Sequence, residues 1–341
     1  MNLWQSTSVQ DVIVIGAGPV GLATAIEVQR AGLRARVIDK GALVNSIVGY
    51  PARMEFFSTP ELIEIGGHPF PVQGYKPTRE EALEYYRTVA ARESLDVRLY
   101  ERVLRIEGAR DAFTVVTDKG HHAARRIVVA IGFYDHPNQL GVPGEDLAKV
   151  THYYREPYAF VGQKVAIIGA KNSAAKAALD CYRHGAEVTL IVRGPAISEK
   201  VKYWIKPDLD NRIREGSIRA HFNSTVRRIT PDAIEVDTPE GSLSIPNDWV
   251  LALTGYRPDY ALLDTIGVEV DSDAARTPLY DEQTFESRRP GVYLAGTVCG
   301  GLATGRWFIE NGRFHAQQIV AHLTGRQAPT SLQATHWKTA E

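Results

Sequence analysis

The chain has 341 residues, of which 44% are hydrophobic and 23% are charged, and its net charge is −1. This length and apolar content predict two folded domains, and the balanced charge argues against a nucleic-acid-binding protein. No apolar run approaches the roughly 20 residues that span a bilayer, and the N-terminus lacks the pattern of a secretory signal. Two cysteines, Cys181 and Cys299, are too few for a disulfide framework or a cysteine zinc cluster. They agree with a cytoplasmic protein.

The first motif follows an apolar run, DVIVIG, which predicts a strand over Asp11–Gly16. The motif reads GAGPVG, in which Gly16, Gly18 and Gly21 occupy the three glycine positions of a dinucleotide-binding turn. The first glycine permits the tight turn, the second lets a pyrophosphate approach the backbone, and the third lets helix and strand pack closely. A second strand ends at Asp39, whose carboxylate can accept hydrogen bonds from a ribose diol. This strand–turn–helix–strand unit predicts a doubly wound α/β sheet with a bound dinucleotide.

The stretch after this unit is less regular. Residues 42–74 are rich in Gly, Pro and aromatic side chains, which indicates irregular structure over a binding site. A helix is predicted over residues 77–93, and three β-like runs are predicted over residues 97–129. The following segment, HPNQLGVPGED, is a predicted loop because Pro and Gly interrupt it.

The strand–turn–helix–strand unit then recurs in the middle of the chain. A predicted strand, Lys164–Gly169, leads into GAKNSA and a helix, and the strand AEVTLIVR follows. Lys171 replaces the second glycine, and Ala174 replaces the third with a residue small enough for close packing. Two such units in one chain predict two nucleotide-binding domains.

The second unit differs from the first at the end of its second strand. Arg193 stands where the first unit has Asp39. An acid there favours a free ribose 2′-hydroxyl, whereas an arginine can hold a 2′-phosphate with two hydrogen bonds. Lys200 and Lys202 add positive charge nearby. This pattern predicts NADPH at the second unit, and the other nucleotide is then a flavin, because two nicotinamides have no useful hydride to exchange.

Longer stretches outside both motifs carry a family resemblance. They read NSIVGYP, FFSTPELIEIGGHPF, GFYDHPNQLGVPGEDLAKVTHYY, IGAKNSA and FIENGRFH. With them the chain resembles the low-molecular-weight thioredoxin reductase family of FAD- and NADPH-dependent flavoproteins over about residues 11–323. More narrowly, it resembles the bacillithiol-disulfide reductase branch of that family.

The resemblance implies a fold and its division into domains. It implies two Rossmann-like, doubly wound, three-layer domains, with the NADPH domain inserted into the FAD domain. Residues 1–155 and 250–325 are expected to form the FAD-binding domain, residues 156–249 the NADPH-binding domain, and residues 326–341 a flexible tail. GVYLAGTV, residues 291–298, resembles the last FAD-domain strand, and one long helix is expected over residues 306–323. A homodimer with a role in redox homeostasis is also expected.

The resemblance also implies which residues contact each cofactor. Those expected at FAD are Gly16, Gly18, Pro19, Val20, Gly21, Asp39, Lys40, Asn45, Ser46, Tyr50, Phe57, Ser58, Val103, Ala130, Gly132, Tyr134, Gly296, Thr297, Trp307 and Phe308. Those expected at NADPH are Gly169, Lys171, Asn172, Ser173, Ala174, Arg193, Lys200, Lys202, Thr254 and Gly255.

The chain departs from the family where thiols are concerned. Thioredoxin reductases carry a C-x-x-C before the second motif, where this chain reads THYYREP. The bacillithiol branch is often marked by a cysteine inside the first motif, where this chain has Val20. Cys299, just after the last FAD-domain strand, is therefore the candidate catalytic thiol, which requires exposure and a lowered pKa. His136 and His152 are candidates for lining the substrate site or for protonating a leaving thiolate. No residues have metal-ligand spacing.

The predicted function is that of an FAD-dependent NADPH oxidoreductase of the disulfide-reductase type that acts without a C-x-x-C. Its expected partner is a small-molecule disulfide, such as bacillithiol disulfide, or a small redox protein, with no nucleic acid and no membrane. A ferredoxin or flavodoxin reductase is one alternative, because it needs no cysteine. A flavin monooxygenase is another, since His152 matches the histidine of a motif in those enzymes whose Phe and Gly are here Asp146 and Ala148. A third is a non-catalytic redox-sensing protein that binds both nucleotides.

Overall fold

A computed structural model describes residues 9–327 of the chain. Within that range the strands are β1 Gln10–Ile15, β2 Ala35–Ile38, β3 Asp96–Arg98, β4 Val103–Ala109, β5 Ala112–Thr117, β6 His121–Val129, β7 Val150–Thr151, β8 Lys164–Ile168, β9 Glu187–Ile191, β10 Arg219–His221, β11 Thr225–Ile229, β12 Ala233–Thr238, β13 Gly241–Pro246, β14 Trp249–Ala252 and β15 Val292–Leu294. The helices are α1 Pro19–Arg30, α2 Asn45–Val48, α3 Pro60–Ile63, α4 Arg79–Arg92, α5 Asn172–Arg183, α6 Lys206–Arg214, α7 Tyr260–Thr265, α8 Ile309–Gly312 and α9 His315–Thr324. Two 3-10 turns cover Tyr158–Phe160 and Gly296–Gly300.

The chain divides into two compact units. The first comprises the described residues of 1–48, 53–136 and 256–341, and the second comprises residues 49–52 and 137–255. The second unit is thus inserted, along the sequence, into the first.

The sheet of the first unit has the strand order β3-β2-β1-β6-β5-β4, and β15 also pairs with β6. β1, β2, β3, β6 and β15 pair in parallel, whereas β4 and β5 join through antiparallel pairs. β1 forms because Val12, Ile13 and Val14 are apolar and β-branched, and all three are buried. The central position of β1 between β2 and β6 places its carboxyl end at the edge where parallel sheets bind ligands.

The main sheet of the second unit is parallel throughout, with the order β10-β9-β8-β14-β7. A separate antiparallel sheet, β11-β12-β13, completes this unit. Val165, Ile167 and Val188 are buried in the parallel sheet, and the small residues of α5 pack in the same core. The predicted α/β class, with parallel Rossmann-like sheets, is confirmed.

The unit boundaries differ from the predicted ones. They fall at 136/137 and 255/256, rather than at 155/156 and 249/250. The reason is strand pairing: β14 pairs with both β8 and β7, so that residues 150–151 and 249–252 belong to the sheet of the second unit. Most of the predicted tail, residues 326–341, lies outside the described residues.

The predicted long helix over residues 306–323 is wrong, because the structure interrupts it. The chain forms α8, turns at Arg313 and Phe314, and begins α9 at His315. No helix between residues 9 and 327 combines the length and the apolar character needed to cross a bilayer.

Candidate functional site

The first glycine motif forms the turn between β1 and α1. Gly16 has φ +112°, and a Cβ on it would lie 2.4 Å from the carbonyl oxygen of Ala130. A Cβ on Gly21 would lie 1.9 Å from the carbonyl oxygen of Gly16. The chain's own packing therefore requires glycine at both positions.

Gly18 is different, because nothing in the structure requires a glycine there. Its φ is −73°, and no atom lies within 4 Å of where its Cβ would be. Gly18 is the N-cap residue of α1, and no side chain caps that end of the helix. Free amides and a positive dipole at an open helix N-terminus suit a phosphate. The protein itself leaves room for a side chain at Gly18, so a bound ligand is what would require a glycine there. A pyrophosphate held against the backbone is such a ligand.

Asp39 follows β2 and holds the glycine turn in place. Its Oδ2 accepts a hydrogen bond from Ala17 N at 2.7 Å, and its Oδ1 accepts one from Gly41 N at 2.7 Å. Burial raises the pKa of Asp39 above its usual value, against these two amide hydrogen bonds, which lower it. A carboxylate has about four lone-pair sites, so both oxygens can still accept from a ribose diol. Lys40, the next residue, pairs with Asp135 at 3.0 Å.

Three segments of the first unit converge beside this turn. A Cβ on Gly296 would lie 3.2 Å from the side chain of Val20, in the first motif. A Cβ on Gly132, beyond β6, would lie 3.6 Å from Thr297 Oγ1. Ala130 N donates to Ile15 O at 2.8 Å. The structure therefore brings together predicted FAD residues from the first motif, the end of β6 and the turn after β15.

The other predicted FAD residues occupy several kinds of position. Pro19 is the first residue of α1, Asn45 and Ser46 lie on α2, and Val103 is buried in β4. The ring of Tyr134 lies 4.6 Å from that of Tyr256. Tyr50 belongs to the segment 49–52, which the structure groups with the second unit rather than with the other predicted FAD residues.

Two predicted FAD residues, Phe57 and Phe308, are close in sequence to a hydrogen bond that the sequence did not reveal. Phe57 and Phe308 are 41% and 49% exposed. Ser58, next to Phe57, donates a hydrogen bond to the carboxylate of Glu310 on α8. Residues 58 and 310 are far apart in sequence, and no local pattern links them.

The second motif repeats this turn with different residues. Gly169 has φ +142°, and a Cβ on it would lie 2.6 Å from Leu253 O and 3.1 Å from Ala174 Cβ. The small side chain of Ala174 is buried under this turn, as predicted for the third motif position. Lys171 is the N-cap residue of α5, and no side chain caps the helix. This helix end also has an open N-terminus.

Three exposed cations belong to the N-cap of α5 and to the loop that follows β9. Arg193, Lys171 and Lys200 are exposed, and none of these three side chains forms a hydrogen bond or ion pair with any residue of the described range. Asn172, on the first turn of α5, anchors the loop that follows β9: its Nδ2 donates to Lys200 O and its Oδ1 accepts from Lys202 N, both at 3.0 Å. Unpaired cations at this place fit a nucleotide that carries an additional phosphate.

Thr254 and Gly255 are held by Asn138, which belongs to the same unit. Thr254 Oγ1 donates to Asn138 O at 2.6 Å, and Asn138 N donates to Gly255 O at 2.9 Å. Ser173, in contrast, is exposed on the first turn of α5.

The two cysteines are unsuited to thiol chemistry. Cys299 is fully buried, and burial raises its pKa well above the usual value. Cys181 is also buried, with burial and the charge of Asp180 raising its pKa to about 12. The prediction that Cys299 is a catalytic thiol requires exposure and a lowered pKa, and the structure shows the opposite of both.

The two candidate histidines lie in different units, and each faces a carboxylate. His136 Nε2 lies 3.1 Å from Asp259 Oδ2 in the first unit. His152 Nε2 lies 3.3 Å from Glu145 Oε1 in the second. Within residues 9–327, no three His, Cys, Asp or Glu side chains are grouped as a metal site requires.

Known proteins are similar to this chain in sequence and in fold. A family model described as "Pyridine nucleotide-disulphide oxidoreductase" matches residues 13–296. The chain is 41% identical over 320 residues to "Bacilliredoxin reductase Bdr" of Bacillus subtilis, covering 93% of this chain and 98% of that protein. The structure of "Bacillithiol Disulfide Reductase Bdr (YpdA)" from Bacillus cereus has a TM-score of 0.90 and 40% identity, covering 94% of this chain and 100% of that one. Its counterpart from Staphylococcus aureus has a TM-score of 0.89 and 38% identity, covering 93% and 99%.

Proposed function

Because the chain belongs to the pyridine nucleotide-disulphide oxidoreductase family and is thus a flavin-dependent enzyme, we propose that it oxidises NADPH through bound FAD and reduces a low-molecular-weight disulfide. The names of the relatives with about 40% identity contain the words bacilliredoxin and bacillithiol disulfide. Their names indicate bacillithiol disulfide as the first substrate to test. The balanced reaction consumes one NADPH, one proton and one disulfide, and it releases NADP⁺ and two thiols.

One observation carries this proposal: each unit has a helix with an open N-terminus, and the residues that follow the second strand of the two motifs, Asp39 and Arg193, have opposite charges. Asp39 accompanies the open end of α1, and the unpaired Arg193 belongs to the unit with the open end of α5. The acid suits the ribose of FAD, and the arginine suits the 2′-phosphate of NADPH. A flavin held at the first unit would supply the redox chemistry, taking up a hydride from the nicotinamide and releasing electrons to the acceptor. This chain's residues bind and orient the two nucleotides.

The protein's own thiols take no part in the proposed reaction. The chain has only two cysteines, far apart in sequence, and both thiols are buried with raised pKa values. A thiol attacks a disulfide as its exposed thiolate, which neither cysteine provides.

A variant without cysteine, Cys181→Ala/Cys299→Ala, is therefore expected to keep kcat for disulfide reduction within about threefold of the wild-type value, because neither thiol attacks the substrate. Both side chains are buried, so the melting temperature should fall while turnover persists. Activity is compared at a temperature well below both melting temperatures, and intact mass is measured after mixing with disulfide. Loss of turnover in a folded, flavin-loaded variant, or a mixed disulfide on wild-type protein, would contradict the thiol-free route.

An acceptor screen tests the proposed function. Purified holoenzyme is mixed with NADPH and with bacillithiol disulfide, glutathione disulfide, a bacilliredoxin mixed disulfide, ferredoxin, quinone or oxygen. We expect the largest kcat/KM for bacillithiol disulfide, with two thiols released for each NADPH. Faster ferredoxin reduction would instead support the ferredoxin-reductase alternative, and hydroxylated product with oxygen uptake would support a monooxygenase. A homodimer and a cytoplasmic location stay predictions.

A further inference from the structure

His315, at the start of α9, is a buried polar side chain of the first unit. His315 is 2% exposed, and its ring lies 3.9 Å from the ring of Phe285 and 4.4 Å from that of Trp307. Its Nε2 is buried without a hydrogen-bond partner among the described residues. A buried ring with an unsatisfied nitrogen is costly, so a histidine at this place needs an explanation beyond packing.

The other ring nitrogen of His315 has a specific partner. Gly296 N donates a hydrogen bond to His315 Nδ1 at 3.1 Å, and Cys299 Sγ lies 3.9 Å from the same nitrogen. Because Nδ1 is the acceptor, the proton of the neutral ring lies on Nε2. Burial, with a smaller contribution from the charge of Arg306, lowers the pKa of His315 to about 3. The ring is therefore neutral at any physiological pH, and its unprotonated Nδ1 can accept the hydrogen bond from Gly296 N.

Gly296 is the point where the chain leaves the sheet. Ala295 N still donates to Val129 O at 2.9 Å, beyond the last residue of β15. Gly296 then adopts φ +78°, which turns the next segment towards the first motif. A Cβ on Gly296 would lie 3.2 Å from Val20, and a Cβ on Gly312 would lie 3.1 Å from Gly296 Cα. The Gly296 peptide thus lies between α1 and α8, and its N–H depends on His315 for an acceptor.

We propose that His315 is a positioning residue for the flavin, which rests on the proposed FAD site. By accepting from Gly296 N, it fixes the turn that presents Gly296 and Thr297 beside the first motif. Phe285 and Trp307 hold the ring in the orientation that this hydrogen bond requires. Without the acceptor, a buried N–H is left unsatisfied, and the turn has to move to find another partner.

Three substitutions separate this role from simple packing. In His315→Asn, the side-chain oxygen lies near the former position of Nδ1 and can still accept from Gly296. His315→Gln places its amide near the former position of Nε2, and His315→Leu has no acceptor. FAD affinity is measured from the flavin released on dilution of each holoenzyme, together with the shape of the flavin visible absorption bands. NADP⁺ affinity of the same proteins is the control.

His315→Leu and His315→Gln are each expected to raise the FAD dissociation constant about tenfold, because a buried amide loses its acceptor. His315→Asn should stay within about threefold of wild type and keep the wild-type absorption bands, since the acceptor remains. Equal affinity in His315→Leu and wild type, or equal losses in His315→Asn and His315→Gln, would overturn the inference. If His315→Leu does not fold, the Asn–Gln comparison still decides. A wild-type protein that binds no flavin would instead refute the proposed function itself.

Discussion

Replacing Gly18 by alanine is expected to raise the FAD dissociation constant about 100-fold, or about 2.7 kcal/mol, while leaving the flavin-free protein folded. The site of the added methyl group is empty, and the backbone angles of Gly18 are open to any residue. The loss of helix capping costs at most about 1 kcal/mol. A large effect on FAD therefore means that a ligand occupies the space in which the methyl group would lie.

A matched control comes from the second unit. A Cβ on Gly194 also meets no atom within 4 Å, so Gly194→Ala should leave FAD affinity at the wild-type value. Binding is followed by flavin fluorescence, and melting temperatures without FAD show that both variants fold. If Gly18→Ala binds FAD as tightly as wild type does, the pyrophosphate does not lie at the open end of α1.

Replacing Arg193 by alanine is expected to lower kcat/KM for NADPH roughly 10- to 100-fold, with the change mostly in KM, because two charged hydrogen bonds to the 2′-phosphate are lost. NADH lacks that phosphate, so its kcat/KM should change by less than about threefold. The ratio of the two kcat/KM values reports the phosphate contact and is insensitive to damage that affects both nucleotides equally.

Arg183 provides the comparison for this variant. It is an exposed arginine of the same unit, but it pairs with Asp208 at 2.6 Å rather than standing free. Arg183→Ala should leave the NADPH/NADH ratio unchanged. Equal losses with both nucleotides in Arg193→Ala would mean that another group recognises the 2′-phosphate or that the second unit does not bind NADPH.

The sequence predicted the parts of this molecule that short-range patterns encode. The Gly16–Asp39 unit and its recurrence at Gly169 are recognisable because the strand, glycine turn and helix follow one another directly. The choice of Asp39 or Arg193 at the strand end is equally local. These features predicted the parallel sheets and the residues proposed to hold each nucleotide.

The features that the sequence did not reveal depend on contacts between residues that are far apart in the chain. The unit boundaries depend on the pairing of Val150 with Val250, which no local pattern indicates. The apolar residues near Phe314 keep their spacing across the break between α8 and α9, and the sequence therefore predicted one continuous helix. Cys299 is a candidate thiol by sequence because it follows the last strand of the first unit, yet the surrounding core buries it completely. The hydrogen bond from Gly296 to His315 joins residues that no sequence pattern links, so it is visible only in three dimensions.

A stoichiometric anaerobic titration tests the central claim most directly. One equivalent of NADPH is added to the oxidised holoenzyme, followed by one equivalent of bacillithiol disulfide, while flavin absorbance and free thiols are recorded. We predict that NADPH bleaches the flavin, that the disulfide restores its colour, and that two thiols appear for each disulfide added. A flavin that NADPH does not bleach, or one that stays reduced in the presence of the disulfide, would contradict the account.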